Sequence, residues 1–192
     1  TFRNWNTLWH VTITPYSREY EPGIQDKRSI VEAFRNLSLR VGKERVVWRY
    51  DPVFLSPSFP LSSHKSWFST LSSILEGYTD RVMFSFLDIY PHIRERLETM
   101  EIKPPSRSEA EELARFFVQE GRRHKMEVSS CAEGSWMEEY GVETAGCFTK
   151  DVWEKCCGKR LNIPKTKGKR KECSCILGFD IGGYGGCRMG CV

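Results

Sequence analysis

Apolar positions along the chain switch repeatedly between the spacing of a strand and the spacing of a helix. Leu8-Trp9-His10-Val11-Thr12-Ile13-Thr14 is rich in β-branched and aromatic residues and predicts a first strand, ended by Pro15. Glu21-Pro22-Gly23 is a turn signal. Asp26 then caps a predicted helix to about Val41, with Ile30, Val31, Phe34, Leu37 and Val41 on one face and Gly42 as its stop. Val46-Val47-Trp48-Arg49-Tyr50 predicts a second strand, stopped by Asp51-Pro52. A Ser/Pro-rich loop follows, and a helix from about His64 to Glu76 is expected to bury Trp67, Leu71 and Ile74, with Gly77 closing it. Val82 to Leu87 predicts the third strand, ending at Asp88. A short helix over Ile93 to Thr99 is broken by Pro104-Pro105. Ser106 or Ser108 caps the next helix, to about His124, with Ala110, Leu113, Phe116 and Phe117 turned inward. Met126 to Ser130 predicts the fourth strand, ending at Cys131. Beyond Glu133 the pattern weakens: Glu138 to Val142 reads as a helical turn, Asp151 as the cap of a short helix holding Trp153, Cys156 and Cys157, and the chain from Leu161 as loop.

Strands alternating with helices imply a parallel sheet with right-handed crossovers. The expected fold is α/β: a parallel-stranded partial, TIM-like β/α barrel of at least four βα units, with an open doubly wound sheet as the other candidate. Residues 1–160 form the expected barrel-like unit, and residues 161–192 a basic linker with a cysteine- and glycine-rich loop. The 192 residues suffice for one domain with a substantial core, and 40% hydrophobic with 28% charged residues suits a soluble protein. Apolar runs are too short for a membrane span and Thr1 to Trp5 lacks a signal-peptide pattern, so a cytoplasmic protein with no membrane partner is expected. Much of the excess in the net charge of +4 sits in Lys165, Lys167, Lys169, Arg170 and Lys171. Such a run reads first as a solvated loop and second as a phosphate or nucleic-acid contact, and no aromatics interleave with it.

Each predicted strand ends in residues of chemical use. In parallel α/β folds ligands bind beyond the carboxyl ends of the strands, so Arg49, Asp51, Asp88 and Glu133 are expected to converge on one rim and take a small-molecule or other substrate. Arg49 suits a two-point clamp on a carboxylate or phosphate. Asp51, Asp88 and Glu133 suit a cationic group or proton transfer. The bland alternative is that the aspartates cap turns. His10 reads as structural, and His64, His92 and His124 carry no ligand spacing. No P-loop, dinucleotide fingerprint, H-E-x-x-H or G-x-S-x-G occurs.

The eight cysteines crowd into the C-terminal third, which argues for a metalloprotein over a small disulfide scaffold. Cys173, Cys175, Cys187 and Cys191 lie in a glycine-rich stretch, and thiolates suit zinc, copper(I) and iron–sulfur clusters. Cys187-x-x-x-Cys191 is the opening of a C-x-x-x-C-x-x-C motif whose last cysteine would fall beyond Val192. A [4Fe–4S] cluster is the favoured reading; the alternative is a non-catalytic binding protein stabilised by an all-thiolate zinc site. Cys156-Cys157 reads as helix packing, and Cys147 has no assigned role.

Several stretches together carry a resemblance across essentially the whole chain. They are T-I-T-P-Y at Thr12–Tyr16, E-P-G-I-Q-D-K at Glu21–Lys27, V-V-W-R-Y-D-P at Val46–Pro52, E-G-Y-T-D-R at Glu76–Arg81 and S-F-L-D-I-Y at Ser85–Tyr90. To these add S-C-A-E at Ser130–Glu133, R-K-E-C-S-C at Arg170–Cys175, D-I-G-G-Y at Asp180–Tyr184 and the terminal C-R-M-G-C. The chain resembles the bacterial family called domain of unknown function 1848, which has no established activity. Its C-terminal cysteines are similar to the iron–sulfur motif of radical S-adenosylmethionine enzymes. The resemblance thus implies a [4Fe–4S] cluster, S-adenosylmethionine as a further cofactor, and a chain that is a fragment, with more residues at both ends. The late position of the cysteine motif departs from radical enzymes, which carry theirs after the first strand.

Overall fold

The computed structural model describes residues 6–24, 26–144, 146–163, 175–176, 187 and 189–191. Its centre is a four-stranded sheet: β1 (Trp9–Thr12), β2 (Val46–Val53), β3 (Arg81–Phe86) and β4 (Glu127–Ser130). The strands lie side by side in chain order and all pairs are parallel. The helices are α1 (Lys27–Val41), α2 (Leu61–Leu75), α3 (Arg94–Thr99), α4 (Arg107–Arg123) and α5 (Lys150–Cys157). Among the described residues the sheet is open: it does not close into a barrel. The edge beyond β4 is covered by Glu143, whose backbone N–H donates to Val128 and whose carbonyl accepts from Ser130, both at 2.9 Å.

One core explains the winding. Val46, Trp48 and Tyr50 of β2, Val82 and Phe84 of β3 and Val128 of β4 meet Phe34 of α1, Phe68, Leu71 and Leu75 of α2, and Leu113, Ala114 and Phe117 of α4. The crossover helices α1, α2 and α4 thus pack on the same face of the sheet. Every second residue of β2 goes to that face, as the two-residue period of a strand requires. The strand's other residues, Val47, Arg49 and Asp51, are left to the opposite face.

Four details differ from the sequence expectation. β2 does not stop at Asp51-Pro52 but runs to Val53; its pairing with β3 shifts register between Tyr50 and Val53, and the Asp51–Pro52 peptide is cis. A proline lacks the N–H a regular ladder needs and is accommodated where the pairing is irregular. The helix expected from His64 begins at Leu61 and buries His64, Phe68, Leu71, Ser72 and Leu75, while Trp67 stays 45% exposed. Trp67 lies in a groove with Val31, Arg35 and Ile74 instead of the core. Thr149, and not Asp151, caps α5, its hydroxyl accepting from the Val152 N–H at 3.4 Å. The expected helical turn at Glu138–Val142 is a 3₁₀ turn over Ser135–Tyr140. Ser106 and Glu109 form a reciprocal capping box at the start of α4, whereas Asp26, the residue that caps α1, makes no side-chain cap hydrogen bond. No helix among the described residues is long and apolar enough to cross a membrane.

Candidate functional site

The face of the sheet away from α1, α2 and α4 carries the polar chemistry. Thr12, Arg49, Met83 and Ser129 stand in register across the four strands. One step further toward the carboxyl ends come Asp51, Ser85 and Cys131. Arg49 forms an ion pair with Asp51, and the Ser85 hydroxyl donates to the other Asp51 oxygen. Both charged side chains are largely covered, at 27% and 15% exposure, so the pair is little screened by water. The Arg49 Nε is buried and has no hydrogen-bond partner among the described residues.

Glu133 reaches the same end by a turn. Ala132 has φ 59° and Gly134 φ 78°, so the chain reverses just after β4 and the Glu133 carboxylate accepts from the Phe86 N–H at 2.7 Å. The left-handed conformation is costly for alanine and is held by the contacts on either side. Asp88 is exposed, two residues past β3. Of the four residues expected at the rim, Arg49 and Asp51 therefore touch directly and share Ser85, Glu133 binds the end of β3, and Asp88 stands on the outside.

His10 lies on β1 with both ring nitrogens buried. Its ring sits 4.7 Å from that of Phe148. Burial first, and then the Arg49 charge, lower its pKa to about 4, so it is neutral at physiological pH.

The thiols fall into two places. Cys131, Cys147 and Cys175 pack with Leu8, Val47 and Met83 on the open face. Cys147 donates S–H to Cys131 across 3.0 Å, and the Phe148 N–H donates to Cys175 at 3.4 Å. The hydrogen bond from Cys147, and then the Arg49 charge, hold the Cys131 thiol below its ordinary pKa against the effect of burial. The Cys147 thiol is pushed up by its bonds to Cys131 and Cys175 and by burial.

Cys187 and Cys191 are exposed, and Met189 and Gly190 lie against the turn after β1. The Gly23 N–H donates to the Met189 carbonyl at 2.8 Å, and a Cβ at Gly23 would lie 2.5 Å from that oxygen and 2.6 Å from the Met189 Cα. Arg96 of α3 donates to the carbonyls of Gly190 and Cys191 at 3.0 and 3.3 Å. Glu21 in that turn is fixed by Lys27, with the Thr14 hydroxyl donating to it at 2.7 Å. Burial, then the charges of Glu21 and Cys187, raise the Cys191 pKa. Thiols are soft donors of the kind a thiophilic group takes. Among the described residues no three His, Cys, Asp or Glu side chains are grouped to hold a metal ion. Cys173 and the basic run Lys165–Lys171 lie outside the described residues.

Sequence reading put Arg49, Asp51, Glu133 and Cys131 at the ends of predicted strands; Arg49 and Asp51 instead lie within β2, and Glu133 and Cys131 follow β4. It missed the Cys147 contact and the Thr14–Glu21–Lys27 group, because only chain folding brings these residues together.

An open parallel α/β sheet, with an ion pair, a hydroxyl and thiols gathered at the carboxyl ends of its strands, defines the class. Within it, the chain belongs to the family described as domain of unknown function (DUF1848), whose model matches residues 1–192. Comparison with curated proteins and with solved structures finds no match.

Proposed function

We propose that this chain is part of an iron–sulfur-cluster protein in which a partial β/α barrel presents a substrate at the carboxyl ends of its strands, in the manner of a radical S-adenosylmethionine-like enzyme. The observation that carries this reading is the docking of the Met189–Cys191 segment. Gly23 and Arg96 bind its backbone at the same ends of the strands that carry Arg49, Asp51 and Ser85. Strand order in chain sequence with the crossover helices on one face is the winding of a β/α barrel, and supports that part of the reading. Cys187 and Cys191 would be ligands, and a [4Fe–4S] cluster with an open iron supplies a binding position for the cofactor and the start of radical chemistry.

The chain's own residues then orient the substrate. Arg49, anchored by Asp51, would meet an anionic group with its guanidinium. Neutral His10 would serve as a proton acceptor only where the loop that covers its ring opens. Asp88 and Glu133 supply carboxylates near the end of β3.

Anaerobic reconstitution of the protein with iron and sulfide tests the assignment. The expected result is about four irons per chain, the content of one [4Fe–4S] cluster, with visible absorbance, and loss of that iron in Cys187→Ala and in Cys191→Ala. Full iron content in both variants would refute it. Stoichiometric zinc without iron would establish the zinc-stabilised binding protein in its place.

A further inference from the structure

Cys131, Cys147 and Cys175 come from three separate parts of the chain: the end of β4, the loop before α5 and the C-terminal segment. The proposed cluster ligands Cys187 and Cys191 are not among them. Cys131 and Cys147 are 16 residues apart in sequence, and their sulfurs are 3.0 Å apart. That is inside ordinary non-bonded contact, and a disulfide bond of about 2.05 Å would need the sulfurs to close by only about 1 Å.

The two thiols differ in access. Cys147 is 6% exposed beneath Leu8, Val47 and Met83, whereas Cys131 is half-buried. Cys131 also feels the charges of Arg49 and Asp51, the ion pair at the adjoining strand end. One thiol is therefore reachable from solvent, and its neighbour is shielded and already pointed at it. That asymmetry is what thiol–disulfide exchange uses: an accessible sulfur attacks, and a buried one resolves the mixed disulfide.

We propose that Cys131 and Cys147 are a reversible dithiol–disulfide pair, with Cys131 reacting with a disulfide oxidant and Cys147 resolving the adduct. In the first step the Cys131 thiolate attacks one sulfur of the oxidant; a Cys131–oxidant bond forms and one oxidant thiolate leaves. In the second, Cys147 gives up its proton to solvent and attacks the Cys131 sulfur, releasing the second oxidant thiolate. Two protein thiols are oxidised by two electrons and one external disulfide is reduced to two thiols. The new bond ties the Cys147–Phe148 loop, and with it the Phe148 ring against His10, to the end of β4 beside Arg49. The pair thus couples the redox state of the surroundings to the geometry of the open face. This inference stands whether or not Cys187 and Cys191 hold a cluster.

The test uses the reduced full chain, oxidised glutathione as the probe, and peptide mapping without reductant. The expected product is a peptide pair joined through Cys131 and Cys147, a loss of two titratable thiols per chain, and recovery of both with dithiothreitol. Cys147→Ser should stop at a glutathione adduct on Cys131, and Cys131→Ser should give neither the adduct nor the link. The wild-type mapping needs no variant, so poor folding of either substitution leaves the experiment decisive. A link that joins Cys175 to either residue, no link at all, or iron or zinc in the purified protein that is lost in both variants would each overturn the proposal.

Discussion

At the scale of single residues, His64 shows how a buried polar group is made tolerable. It is fully buried. Its Nε2 lies 2.7 Å from the Phe54 carbonyl, which only accepts, so Nε2 carries the proton; Nδ1 then accepts from the Tyr50 hydroxyl at 2.9 Å. Burial lowers its pKa to about 4 from 6.5. A histidine depressed in the folded state binds fewer protons there than when unfolded, so stability is full above pH 6.5 and falls as pH drops toward 4. His64 alone should cost about 3 kcal/mol across that window, and His10, shifted the same way, adds to it. Urea melts at a series of pH values should show this acid sensitivity. In His64→Leu the slope between pH 4 and 6.5 should be smaller, and stability at neutral pH should fall by about 1–3 kcal/mol for the orphaned Tyr50 and Phe54 groups. An unchanged slope would mean that His64 stays protonated in the fold. The sequence marked His64 only as a histidine without ligand spacing; its partners, ten and fourteen residues away, were invisible to periodicity.

At the scale of elements, helix and strand existence followed the apolar pattern, while faces and ends depended on neighbours. Trp67 has the side chain of a core residue, yet the surface of α2 that meets the sheet is set by His64, Phe68, Leu71 and Leu75, and Trp67 falls beside it. β2 crosses Pro52 because the parallel partner β3 shifts register there. Gly23 is a turn glycine by sequence, but its structural role is the approach of another backbone: Met189 passes where a Cβ would stand. Gly23→Ala should therefore push the Cys187–Cys191 segment off the turn. The expected outcome is reconstituted iron reduced severalfold, with a thermal midpoint near that of the unsubstituted protein, since the core is not involved. Iron uptake equal to that of the unsubstituted protein would show that the docking does not position the cysteines.

At the scale of the whole molecule, the one-sided core is the organising feature. Trp48 lies at its centre, fully buried, stacked on Phe68 with ring centroids 5.0 Å apart and donating its indole N–H to the Ile13 carbonyl at 2.9 Å. It joins β2, α2 and the residue that follows β1, so Trp48→Ala should destabilise the fold by about 3–5 kcal/mol, read as a lower denaturation midpoint; a loss below about 1 kcal/mol would mean the site collapses around the cavity. Hydrophobic periodicity by itself determined the four strands, their alternation with helices and hence the parallel sheet, because each of those depends on residues a few positions apart. It also put Glu133 and Cys131 just past β4, whereas Arg49 and Asp51, expected at a strand end, lie within β2. Tertiary structure alone decided that the sheet of the described residues is open, that Asp51 pairs with Arg49 and Ser85, and that Cys175 meets Cys131 and Cys147 while Met189 packs on Gly23. These are contacts between segments far apart in the chain, and their geometry comes from how helices and loops pack on the sheet, which no local spacing records.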